Sequence, residues 1–147
     1  MSLRKKKGYW FGDDLRDLRS EMERYADANG YALSASYEPS ACPCGERSTL
    51  YLFVDDVEGG ASIACGACHE VRFVADSQVY MDDTQECFCI CDQNDFQVLV
   101  GAAFYADSQD VRWWYVGCRC VHCSCVAVYA DWKDDGTPWE STLRVRV

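Results

Sequence analysis

The stretch CVHCSCVAVYAD, Cys120 to Asp131, decides how the chain is read, because a version of it occurs twice. Its counterpart is CGACHEVRFVAD, Cys65 to Asp76. Laid one over the other, Cys65 matches Cys120 and Cys68 matches Cys123. Val71 then matches Val126, Phe73 matches Val128, and Ala75-Asp76 matches Ala130-Asp131. Upstream of each copy stands a second cysteine pair, Cys42-Pro43-Cys44 in the first half and Cys89-Ile90-Cys91 in the second. Each half therefore reads C-x-C, apolar hairpin, C-x-x-C, strand, which is an internal duplication. The two pairs are separated by 20 residues in the first half and 28 in the second, so the second hairpin is the longer.

The chain has 147 residues, room for one ordinary domain or two small ones. A hydrophobic content of 49% with 14% aromatics excludes a disordered chain. Its longest apolar run, Val98 to Ala106, falls far short of the roughly twenty residues of a membrane span. The opening MSLRKKKGYWFGDD is basic, then aromatic and acidic, without the apolar segment of a signal peptide. The chain is therefore expected to be cytoplasmic. Its 11 cysteines, odd in number, are read as reduced thiols that bind metal, not as a disulfide framework.

The formal net charge is −10. Arg4, Lys5, Lys6 and Lys7 concentrate positive charge at the start, so the remainder is more acidic than the whole. Four thiolates around a divalent ion add a further doubly negative unit. Such a body repels phosphate backbones, and nucleic acid is not the expected partner.

The duplicated cysteine pattern over roughly residues 40–132 resembles the zinc ribbon. In that family two cysteine knuckles hold one zinc ion beside a small antiparallel sheet. Cys65-Gly66-Ala67-Cys68 and Cys120-Val121-His122-Cys123 match the usual C-x-x-C knuckle, whereas both C-x-C pairs are one residue short. The resemblance implies two zinc ions per chain. Cys42, Cys44, Cys65 and Cys68 would hold one; Cys89, Cys91, Cys120 and Cys123 would hold the other. A unit of some 40 residues buries too little apolar surface to fold alone, and a structural zinc supplies the deficit. Four sulfur ligands leave no open coordination position, so the expected role is structural, not catalytic.

Cys87, Cys118 and Cys125 match Ser40, Ile63 and Glu70 and so have no cysteine counterpart. They read as small buried or half-exposed thiols; replacement of a predicted ligand and a binuclear cluster are the alternatives. His69 and His122 each adjoin a knuckle cysteine but do not align with one another, which argues against a ligand role.

Leu15, Leu18, Met22 and Tyr25 recur at helical spacing, predicting a helix within residues 13–30, capped by Asp13 or Asp14 and stopped at Asn29-Gly30. Period-two alternation predicts strands at 31–37 and 142–147, and short apolar runs predict others at 49–54, 61–64, 71–74, 96–105, 111–117 and 126–132. Residues 76–86 read as an acidic connector. Asp131 to Gly136 only superficially resembles a calcium loop, lacking an acidic third position and a twelfth Glu, and reads as a solvated turn. Tyr9-Trp10-Phe11 and Trp113-Trp114-Tyr115 read as core aromatics.

The expected fold is mostly β (small α+β): an N-terminal helix followed by two tandem zinc-ribbon-like antiparallel units. The expected divisions are 1–30, a basic tail and amphipathic helix; 31–80, the first unit; and 81–147, the second. No phosphate loop, dinucleotide fingerprint, nucleophile elbow or zinc-protease motif occurs. The function expected is that of a non-enzymatic structural-zinc protein acting as a protein-interaction module. The alternatives are a nucleic-acid-associated ribbon, a rubredoxin-like iron carrier, and a thiol enzyme using Cys118 or Cys125 with Arg119 beside it.

Overall fold

Half of the described residues lie in strands of one antiparallel sheet. The computed structural model describes residues 3–39, 42, 44, 49–55, 57, 59–75 and 84–139. The strand expected at 142–147 and most of the connector expected at 76–86 lie outside them. The strands are β1 Arg4–Lys6, β2 Tyr9–Phe11, β3 Ala35–Tyr37, β4 Leu50–Asp55, β5 Gly60–Cys65, β6 Val71–Phe73, β7 Gln85–Glu86, β8 Phe96–Phe104, β9 Asp110–Cys120 and β10 Cys125–Pro138. One helix, α1 Leu15–Asn29, lies between β2 and β3. The sheet runs β1-β2-β10-β9-β8-β4-β5-β6, with β3 beside β8 and β7 beside β4.

The duplication is visible in the pairing. In the first half β4 pairs with β5 and β5 with β6; in the second β8 pairs with β9 and β9 with β10. Leu50 lies opposite Cys65 as Phe96 lies opposite Cys120. These equivalent residues then meet each other, because Leu50 is the antiparallel partner of Phe96. An antiparallel bridge between equivalent positions places an approximate twofold axis between the halves. The strands leading into each C-x-C pair obey the same symmetry. Tyr37 of β3 pairs with Val100 of the second half, and Gln85 of β7 pairs with Val54 of the first. Each half thus completes the other's sheet.

Side chains of β9 show why this sheet has two cores. Trp114, Val116, Cys118 and Cys120 face one side with Leu52, Val54, Ile63, Phe96, Val98 and Val100. Tyr115 faces the other side, beneath Leu18, Met22 and Ala26 of α1. That helix starts on Asp14, whose carboxylate accepts from the Asp17 N–H, and stops at Gly30, in the left-handed region at φ 89°. Gly117 lets α1 approach closely: a Cβ there would come within 2.5 Å of the Met22 sulfur. The predicted apolar stripe is accordingly core.

Three expectations change. The basic start is β1, hairpinned to β2 through Lys7 and Gly8, both at positive φ; a lysine-rich edge strand resists edge-to-edge pairing. The strand expected from Tyr31 begins only at Ala35. Tyr31 instead stacks on Trp113 at 4.7 Å, and its carbonyl accepts from the Tyr115 hydroxyl. The solvated turn expected at Asp131 to Gly136 lies within β10, at a break in register between Lys133 and Thr137. There Asp134 is buried and accepts from Trp114 Nε1 at 2.7 Å and from the Gly136 and Thr137 N–H groups. Asp134→Ala leaves the buried Trp114 N–H without its acceptor, a loss of about 2–3 kcal/mol in a denaturant titration. Asp134→Asn, which keeps an acceptor oxygen, should lose less.

Among the described residues no helix is long and apolar enough to cross a membrane.

Candidate metal centres

All eight cysteines singled out by the duplication come together, in two groups of four. Within each group the sulfurs all lie within 4.8 Å of one another. In the first, Cys42 Sγ lies 3.4 Å from Cys68 Sγ and Cys44 Sγ lies 3.8 Å from Cys65 Sγ. The second repeats this, with Cys89 and Cys123 at 3.4 Å and Cys91 and Cys120 at 3.6 Å. A disulfide needs about 2.05 Å, so none of these pairs is bonded. Four sulfurs at about 2.3 Å from a tetrahedral ion stand about 3.8 Å apart. The donor set and its spacing therefore fit a metal ion at each site.

The folding chain makes these clusters by placing knuckles at strand ends. Cys65 closes β5 and Cys120 closes β9. The turn that follows is the same in both halves. The Ala67 N–H points at Cys65 Sγ and the His122 N–H at Cys120 Sγ, each at 3.4 Å. His69 N–H donates to the Cys65 carbonyl, and Ser124 N–H to that of Cys120. Both His69 and Ser124 take positive φ, 66° and 72°. N–H groups aimed at sulfur favour the thiolate.

In the short second-half pair, the Asp92 N–H donates to the Cys89 carbonyl at 2.8 Å, with Asp92 at φ 71°. The Cys89 N–H donates to the Gln93 carbonyl at 2.7 Å. A left-handed residue directly after Cys91 thus turns the chain although only one residue separates the cysteines.

The tetrads differ in exposure. Cys42 and Cys65 are buried, but Cys44 and Cys68 are exposed; in the second site Cys89 and Cys120 are buried and the others half-buried. Four of the thiols, Cys68, Cys89, Cys91 and Cys123, are shifted from the ordinary cysteine value. Burial, followed by hydrogen bonds with Cys123, Cys120 and Cys91, pushes Cys89 up against the lowering effect of the Cys91 backbone. Burial would raise Cys91, but the Gln93 backbone and the thiols of Cys120, Cys123 and Cys89 together bring it below its ordinary value. Cys68 is lowered by the Glu70 backbone, yet its bond with Cys42, then burial and the other two thiols, carry it up to about 12.

The three remaining cysteines stand outside both tetrads. Cys118 is fully buried in the core, in the place Ile63 takes in the first half. Burial, then the charge of Cys87, raises its thiol well above the ordinary value. Cys125 is buried too and, chiefly through burial, is pushed up to about 11. Cys87 packs half-buried against the same core. A thiolate nucleophile needs the opposite shift and a cation beside it. Arg119 is engaged elsewhere, donating to the Gly12 carbonyl, Gln97 Oε1 and Ser124 Oγ.

Neither histidine joins a tetrad. His69 is exposed and stacks on Tyr51, and His122 faces Asp95 at 3.5 Å.

Comparison with family models, curated proteins and solved structures finds no match to this chain.

Proposed function

We propose that the chain is a structural-zinc protein, non-enzymatic, built as two zinc-ribbon-like units and serving as a protein-interaction module. The observation that carries this reading is the repeated four-sulfur cluster, whose spacing and N–H···S contacts recur in the second half. Cys42, Cys44, Cys65 and Cys68 are the ligands proposed for the first ion, and Cys89, Cys91, Cys120 and Cys123 for the second. When bound, zinc supplies a closed cross-link between strand ends and no reactive position. The residues around it bury two sulfurs per site and direct backbone N–H groups at the thiolates. The acidic surface supports a protein partner over nucleic acid.

Metal analysis of the purified chain tests this. Two zinc ions per chain are expected; none, or iron with its visible absorbance, overturns the reading. Cys118→Ser and Cys125→Ser should each leave the count unchanged. Loss of an ion in either would show that the ligand set includes it.

A further inference from the structure

The two halves share one design, so a difference between them at the knuckles points to something beyond metal binding. Around the second tetrad three large apolar side chains reach solvent: Phe88 is 56% exposed, Ile90 48% and Val121 37%. Phe88 and Ile90 flank Cys89, while Val121 lies between Cys120 and Cys123. Because the four sulfurs of this site lie within 4.8 Å of one another, all three residues are chain neighbours of one cluster. The matching positions in the first half are Ala41, Pro43 and Gly66, all small or compact. The C-x-x-C turn makes the same N–H···S contact with Gly66 as with Val121, so that turn does not call for the larger residue. Single exposed apolar side chains are common; three beside one tetrad are more than that scatter.

The surroundings say what would cover it. Glu86, Asp92 and Asp95 neighbour these residues, Glu86 and Asp92 exposed. From Thr84 to Trp132 the only Lys or Arg residues are Arg112 and Arg119, and Arg119 is engaged with Gly12, Gln97 and Ser124. Four thiolates on a divalent ion add further negative charge beneath the patch. An apolar centre inside an acidic rim complements a segment with an apolar anchor beside basic residues, and repels acidic ligands.

We propose that the second knuckle pair, through Phe88, Ile90 and Val121 within its acidic rim, docks a partner protein's peptide segment carrying an apolar anchor flanked by Lys or Arg. This deepens the interaction-module reading and rests on it.

Selection of a phage-displayed random peptide library on the full-length zinc-loaded chain tests it. The variant Phe88→Ser/Ile90→Ser/Val121→Ser is run in parallel, and zinc is measured in both. Recovered peptides should pair an apolar residue with Lys or Arg. Their synthetic forms should bind less tightly as salt rises, and at least about tenfold more weakly to a triple variant that keeps both zinc ions. Recovery of no peptide, recovery of acidic peptides, or undiminished binding to the variant overturns the proposal. Self-association abolished by the same substitutions would assign the patch to a second copy and equally overturn it. If the triple variant loses zinc, Phe88→Ser alone decides: binding must weaken while zinc is retained, and unchanged binding refutes docking. A chain that holds no zinc yet selects such peptides overturns the zinc reading and leaves the docking surface standing.

Discussion

Cys120→Ser is expected to lower the metal content from two ions per chain to one and to destabilise the second half severely. Cys120 closes β9, lies opposite Phe96, and receives the His122 N–H on its sulfur. Its loss removes a proposed ligand at the end of the longest hairpin. Apparent zinc binding free energies of about 10–16 kcal/mol exceed the usual stability of a whole domain, so one lost ion can unfold what it cross-links. Metal analysis with a thermal melt checks both effects. Cys118→Ser, two residues earlier and in the same core, should retain both ions, which separates ligand loss from a packing defect.

Acid should act in the same direction. With metal bound, the folded chain holds fewer protons on these cysteines than the unfolded chain does. Stability therefore rises with pH and is lost as pH falls, as protons displace the ion. The metal-free chain should slope the other way, and only above the ordinary cysteine value. Cys89 and Cys123 are held above their ordinary values, chiefly by burial, with further hydrogen bonds to neighbouring thiols. Raised thiols stabilise the fold below their unfolded pKa and lose that contribution as pH rises through the folded value. Cys91, held lower, offsets part of this. Denaturant midpoints should rise with pH below the ordinary cysteine value when metal is bound, and with chelator these thiols should add no such rise there and a fall only above that value. Parallel slopes would mean that no ion is held by these sulfurs.

The second large effect is expected when the chain is divided into residues 1–80 and 81–147. Neither piece should fold cooperatively by itself, even with zinc, and mixing them should restore the fold. The reason is the exchange of lead-in strands: β3 pairs with β8, and β7 pairs with β4. The separated first piece would expose Leu52, Val54 and Ile63, which share a core with Val98, Val100 and Val116. It would also leave Leu18 and Met22 without Leu99 and Tyr115. Amide spectra of the separate and mixed pieces measure this; a well-dispersed spectrum from either piece alone would contradict it.

Local chemistry was legible in the sequence. The helix announced itself through a stripe at Leu15, Leu18 and Met22 with Asp14 and Gly30 at its ends. Each C-x-x-C pair implied a tight turn, and the second copy showed which cysteines had counterparts. Cys118 and Cys125 were separable from Cys120 and Cys123 on that ground alone. The bulge around Asp134 was not legible, because its meaning depends on the Trp114 N–H, which lies on another strand. Nor was the hairpin of Arg4 to Phe11, whose place is set by β10.

By itself the sequence determined which thiols have counterparts in the other half and where the C-x-x-C turns that carry them fall, since the repeat and the turns depend on a few adjacent residues. The tertiary structure alone decided that the halves interlock, that Leu50 meets Phe96 near a twofold axis, and that Phe88, Ile90 and Val121 reach solvent around one cluster. Strand partners are chosen by hydrogen bonds and buried surface between residues far apart in the chain, and no local spacing records that choice.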